Sequence, residues 1–98
     1  MGNDKIDMWS NSARRILKNM GGVAYVKTLS SDGVEKYRII KLDSRNVFRL
    51  YDSDERMFRG MSDEVADELL STGTYVAKFT GTKYKLIDEE EFRWNVII

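Results

Sequence analysis

Apolar and polar positions follow a helical period over the N-terminal part of the chain. At about 100° per residue, six apolar side chains of the segment from Ile6 to Met20 fall within an arc of about 100°, and charged side chains lie opposite. Asn3 or Asp4 can cap the start of this segment, and Gly21 can end it. The pattern predicts an amphipathic helix over Ile6–Met20. Its apolar face consists of Ile6, Trp9, Ala13, Ile16, Leu17 and Met20.

The next stretch changes to the period of a β-strand. Val23–Ser30 and Val34–Leu42 are rich in β-branched and aromatic residues and flank a short turn sequence, which indicates a β-hairpin. Asn46–Tyr51 alternates in the same way and predicts a third strand. A charged loop, Asp52–Arg59, follows this strand.

The register of the first hairpin depends on the length of its loop. A two-residue turn at Asp32 and Gly33 would place Lys27 opposite Arg38, which is an unfavourable like-charge pair. A three-residue loop with Gly33 in the left-handed conformation places Lys27 opposite Tyr37 instead. We therefore favour the three-residue loop.

A second helix and a second hairpin are predicted after the charged loop. Ser62 can cap the helix, acidic residues in its first turn suit the helix dipole, and Gly73 can end it. Tyr75–Thr80 and Lys83–Ile87 then form two strands joined by a glycine-threonine turn. The buried face of the helix is predicted to be Val65, Ala66, Leu69 and Leu70.

The C-terminal segment fits two structures. After the acidic run Asp88–Glu91, apolar residues alternate with polar ones as in a final strand. Asp88–Arg93 also fits a capped helical turn, because Asp88 and Glu91 have the spacing of a capping box. We favour the strand and keep the helical turn as the alternative. In the strand, the residues that share one face would be Phe92, Trp94, Val96 and Ile98.

Together these elements predict a single α+β domain over residues 1–98. The order is helix, three strands, helix, and two or three strands, with short connections that suit antiparallel neighbours. We expect an antiparallel sheet of five or six strands with two helices packed on one face. Trp9 and Trp94 are predicted to lie in the core, because both fall on the apolar side of their elements.

The composition restricts the chemistry that the chain can perform. It contains no histidine and no cysteine, so the commonest general base, thiolate nucleophiles, disulfides and sulfur-based zinc sites are excluded. The acidic loop residues Asp52 and Asp54 do not open a calcium loop, since Met57 occupies the position that requires glycine. We therefore expect no catalytic residue, no cofactor and no bound metal.

Charge and hydropathy also limit the partners. The 16 basic and 16 acidic residues give a formal net charge of zero, so any electrostatic binding needs a local patch. The N-terminus lacks the pattern of a signal peptide, and no run approaches the roughly 20 apolar residues of a membrane span. We expect a cytoplasmic protein that does not enter a membrane.

Three groups of residues are candidates for partner binding. Arg14, Arg15 and Lys18 lie together on the polar side of the first helix. Sheet residues could extend this basic group, but the face they occupy depends on strand registers that the sequence leaves open. The second helix carries an acidic group, and Trp94 becomes a contact residue if it is exposed. The acidic group is Glu64, Asp67 and Glu68, and the sheet residues are Lys36, Arg38, Arg49, Lys78, Lys83 and Lys85.

These features favour a non-enzymatic protein-binding module. We expect a small inhibitor or adaptor of a bacterial or phage type, acting through its sheet face, an edge strand or its charged helices. A homodimer could form by pairing of the C-terminal strand, because an apolar edge strand needs a partner. The alternative is a nucleic-acid-binding protein that uses the basic group of the first helix.

Overall fold

The computed structural model describes residues 4–96, with side chains described from Ser12 onward. It confirms the α+β class: six strands form one antiparallel sheet in the order β4-β3-β2-β1-β6-β5. Residues 4–96 contain three helices, one more than predicted. The elements are α1 Asp4–Asn19, β1 Ala24–Leu29, β2 Glu35–Leu42, β3 Phe48–Asp52, β4 Phe58–Gly60, α2 Asp63–Thr72, β5 Thr74–Val76, β6 Lys83–Ile87 and α3 Glu89–Val96.

The two predicted helices pack on one face of the sheet, called here the first face. Leu17 of α1 and Leu69 of α2 are fully buried against strand residues such as Val26 and Ile40. Alternation along the strands places these apolar side chains on the same side. The predicted core positions Ala13, Ala66 and Leu70 are buried in the same cluster. Trp9 and the predicted caps Asn3 and Asp4 lie outside the described side chains.

The first hairpin has the predicted register. Lys27 lies opposite Tyr37, and the Ser30 amide donates to the Val34 carbonyl oxygen at 3.0 Å across a three-residue loop. Gly33 has a φ of 86°, a left-handed conformation that is unfavourable for residues with a side chain. The loop chemistry therefore fixes the strand pairing and, with it, the face that each side chain occupies.

The second helix has the predicted ends. The Val65 amide donates to the Ser62 hydroxyl at 3.3 Å, and Gly73 adopts the left-handed conformation with a φ of 89°. The strand predicted to follow it is shorter than expected. Because residues 78–80 form a turn, β5 ends at Val76.

The predicted C-terminal strand is wrong, and the alternative helix is present as α3. The Asp88 carboxylate accepts from the Glu91 amide at 2.7 Å, three acidic residues occupy the first turn, and Arg93 pairs with Glu89. These local interactions favour a helix. They prevail over the alternating pattern because Phe92 and Val96, four residues apart, share the sheet-facing side. Ile98 lies outside the described residues.

The sheet is strongly curled. Arg59 of β4 donates from Nη2 to the Tyr84 hydroxyl of β6 at 2.8 Å, although three strands lie between β4 and β6 in the sheet order. A flat sheet with strands about 4.8 Å apart would keep these side chains out of reach. The curl brings β4 and β6 toward each other over the core and leaves the second face on the outside.

Candidate functional site

The structure separates the predicted basic group of α1. Arg14 donates from Nη2 to the Asn46 carbonyl oxygen at 2.8 Å, pairs with Asp63 at 3.2 Å and lies 4.9 Å from the centre of the Phe48 ring. Its side chain is only 17% exposed. Arg14 therefore links α1 to α2 and to the β2–β3 turn. These intrachain partners occupy the guanidinium, and the assignment of Arg14 to a binding surface stays a prediction.

Only two members of that basic group remain on the surface. Arg15 and Lys18 are exposed on α1, and neither has an acidic partner among the described residues. Two cations on one helix neutralise few phosphates, so they form a weak basis for nucleic acid binding.

The predicted acidic residues of α2 do come together. Glu64 and Glu68 are exposed and Asp67 is half-buried. Their spacing of three and four places them on one side of the helix. Within residues 4–96, none of the three has an ion-pair partner. They form a continuous acidic strip.

Trp94 lies on the surface. Its side chain is 65% exposed, so the prediction that it belongs to the core is wrong. In a helix, Trp94 is about 200° around the axis from Phe92, and Phe92 packs against Tyr25 with ring centres 4.6 Å apart. The indole therefore points away from the sheet, near the exposed side chain of Glu90 one turn earlier.

The second face of the sheet is only partly covered by α3. Phe92 is buried together with Ile39 and Ile87, while partly buried Tyr25 and Val96 pack against them. Beyond this cluster, the strand registers place three lysines on the same face, because Lys27 lies directly opposite Lys85 and Lys83 is two residues along β6. We call Lys27, Lys83 and Lys85 the lysine surface.

The lysine surface has unbalanced charge. Lys27 lies 3.6 Å from a carboxylate oxygen of Glu35. Lys83 and Lys85 are exposed, and no acidic side chain pairs with either one in the described part of the chain. The first hairpin avoids placing Lys27 opposite Arg38, but the pairing of β1 with β6 places Lys27 opposite another cation, Lys85.

An apolar cavity lies within the lysine surface. It has a volume of about 300 Å³ and is lined by all three lysines together with Leu29 and Val76, and no described residue of α3 contributes to its wall. Val76 is 54% exposed. The arrangement offers ammonium groups around an apolar floor, which suits a segment with both carboxylate and apolar side chains.

The other sheet cations do not join this surface. Arg38 pairs with Asp52 at 3.1 Å, and Arg49 pairs with Asp43 at 2.9 Å. Lys36 lies opposite Thr28, whose side chain is buried on the first face. Lys78 lies in the β5–β6 turn beside Phe79, which is fully exposed. Sequence reasoning missed Lys27, since the β1–β6 pairing joins segments that are distant in the chain. It missed Phe79 because the strand was predicted to continue to Thr80, whereas residues 78–80 form a turn.

Two carboxyl groups with a lowered pKa lie outside the lysine surface. The Ser30 hydroxyl, followed by the Val34 amide, lowers the pKa of Asp32. The Val47 amide, followed by the Arg49 guanidinium, lowers the pKa of Asp43. Both aspartates lie in hairpin turns, where they accept hydrogen bonds from the backbone or from neighbouring side chains. Their shifts reflect turn formation.

Comparison with known proteins adds no relative. No protein-family model, curated protein or solved structure matches the chain. Among the described residues, no group of three or more acidic side chains is arranged to hold a metal ion. No helix in the same part of the chain combines the length and apolar character needed to cross a bilayer.

Proposed function

We propose that this chain is a non-enzymatic protein-binding module that holds an acidic segment of a partner on its lysine surface. The observation that carries the proposal is the placement of Lys27 opposite Lys85, with Lys83 beside them, around an apolar cavity. The absence of histidine and cysteine from the sequence supports a role in recognition, since the usual acid-base and nucleophilic groups are missing.

In the isolated chain, Glu35, which lies 3.6 Å from Lys27, supplies one negative charge against the two positive charges of the opposite pair Lys27 and Lys85. Like charges directly opposite each other in an antiparallel sheet destabilise it, and such cross-strand effects amount to roughly 0.2–1 kcal/mol. A carboxylate bound between Lys27 and Lys85 would convert this repulsion into attraction. This electrostatic contribution to the binding free energy is largest for a partner that also excludes water from the cavity.

The floor of the cavity favours a protein segment over a nucleic acid. Leu29 and Val76 can bury an apolar side chain, which contributes about 25 cal/mol for each Å² removed from water. Duplex binding would depend mainly on phosphate contacts, and three lysines supply few of them. The surface also lacks arginine, the residue that most often reads guanine.

Charge reversal on the lysine surface tests the proposal. We expect Lys83→Glu/Lys85→Glu to abolish binding of a labelled acidic peptide that contains leucine, measured by fluorescence anisotropy at low salt. The control, Lys36→Glu/Arg45→Glu, makes the same charge change at two exposed positions away from the cavity and is expected to retain binding. Equal binding by both variants would contradict the proposal.

The same variants distinguish protein binding from the alternative function, nucleic acid binding. Labelled oligothymidylate of matched length serves as the second probe. Binding of oligothymidylate that is tighter than peptide binding and falls steeply with salt would replace the proposal with a nucleic acid function. Immobilised protein in nuclease-treated bacterial lysate should retain a stoichiometric partner that the lysine variant loses and the control variant keeps.

A further inference from the structure

We infer that the lysine surface of one molecule receives helix α3 of a second copy, so that two chains pair through their second faces. This inference rests on the proposed function, because it names the partner of the same surface. It depends on three properties of the described residues: the surface shape of the second face, the charge of α3 and the exposure of Trp94.

The second face has a shape that can fit against a second copy of itself. Helix α3 packs on this face through Phe92, and a helix with its side chains is about 10–12 Å across. It therefore forms a ridge, while the neighbouring lysine surface is bare. Two copies related by a twofold axis place each ridge over the other copy's bare surface. Twofold contacts of this kind close on themselves and give dimers.

The charges of the ridge and of the bare surface are opposite. Glu90 and Glu91 of α3 are exposed, and neither has a basic partner among residues 4–96, whereas Arg93 is paired with Glu89 at 2.7 Å. The ridge thus offers two carboxylates where Lys83 and Lys85 of the other copy offer two ammonium groups. Such complementarity fixes the orientation of the two chains.

Trp94 supplies the apolar contact. It projects from the top of the ridge and is 65% exposed, although tryptophan has the largest apolar surface of the side chains in this helix. The cavity between the lysines, about 300 Å³ with Leu29 and Val76 in its wall, is open to receive it. Tryptophan seated in a pocket at the centre of an interface is a frequent source of binding energy.

The acidic strip of α2 fits this surface less well. Glu64, Asp67 and Glu68 form it, and α2 packs on the first face of the sheet. A contact between that strip and the lysine surface would join unlike faces of two molecules, which gives open chains unless the rotation closes. The strip also lacks an exposed aromatic side chain. For these reasons α3 is the occupant that we assign.

Solution mass tests the pairing of α3 with the lysine surface. We expect light scattering and analytical ultracentrifugation at low salt to show a dimer of the full chain, with dissociation as the salt concentration rises. Trp94→Ala should weaken self-association by on the order of tenfold or more. Glu90→Lys/Glu91→Lys and Lys83→Glu/Lys85→Glu should each be monomeric alone, and their equimolar mixture should dimerise again.

Glu64→Lys/Glu68→Lys is the matched control, since it reverses two charges on the acidic strip of α2. It should leave the dimer unchanged. The rescue by mixing requires both variants to be folded, which circular dichroism checks. A wild-type chain that is monomeric at all accessible concentrations would overturn the inference, as would a dimer that persists in all three interface variants.

The outcomes separate this inference from the proposed function. A monomeric chain whose lysine variant loses the acidic peptide would overturn the dimer and leave the protein-binding function intact. A dimer sensitive to the α3 and lysine variants, with no binding of the acidic peptide at low salt, would support the inference and restrict the lysine surface to self-association.

Discussion

The two faces of the sheet are built differently. On the first face, two helices bury side chains completely, as Phe48 and Leu69 show with exposures of 0%. On the second face, one short helix covers a small cluster around Phe92, and the remaining surface carries Lys83 and Lys85, which have no acidic partner among the described residues. The first face therefore holds most of the buried core, and the less covered second face is the one on which we propose that recognition takes place.

The largest expected effect comes from making the same substitution on both faces. Phe48→Ala should reduce the free energy of unfolding by about 3–5 kcal/mol, because Phe48 is fully buried in the main core. Phe92→Ala should cost less, about 1–3 kcal/mol, since α3 can detach while the rest of the sheet remains folded. Urea denaturation gives both values, and hydrogen exchange shows whether protection is lost in α3 alone. Equal global losses would contradict the distinction between the faces.

The first face was largely predictable from sequence because local signals determine it. Ser62 and Gly73 mark the ends of α2, and the glycine of the first loop fixes the register of β1 against β2. The periodicity of α1 and α2 then identifies the side chains that must be buried. Local chemistry and core formation agree in this half of the molecule.

The second face was less predictable for two physical reasons. Alternation over Phe92–Ile98 favoured a strand, whereas the Asp88 cap and the spacing of Phe92 and Val96 give a helix that exposes Trp94. The lysine surface requires the pairing of β1 with β6, which no short segment encodes. The intrachain role of Arg14 was not predictable either, because its partners Asn46 and Asp63 are distant in sequence.

The helix caps provide a second, smaller comparison of the faces. Ser62→Ala should lower global stability by about 1 kcal/mol, because α2 is part of the main core. Asp88→Ala removes the corresponding bond to the Glu91 amide, and we expect its effect to be confined to faster exchange in α3. Thermal unfolding and hydrogen exchange of the two variants check this. A global loss from Asp88→Ala as large as that from Ser62→Ala would show that α3 is required for the whole fold.

The smallest expected effect is a gain in the free energy of unfolding. It tests whether the lysines of the second face lower stability and also bind a partner. Lys85→Thr should stabilise the chain by up to about 1 kcal/mol, because it removes the charge directly opposite Lys27 and introduces a residue that favours strands. Lys36→Thr controls for strand preference, since Lys36 is exposed in β2 and lies opposite Thr28. The difference between the two variants, measured by urea denaturation at protein concentrations low enough for both to be monomeric, should shrink as salt screens the charges. Lys85→Thr should also weaken acidic-peptide binding, whereas Lys36→Thr should not. A gain in stability without that weakening would show that the lysine pair is a cost to folding that serves no binding role.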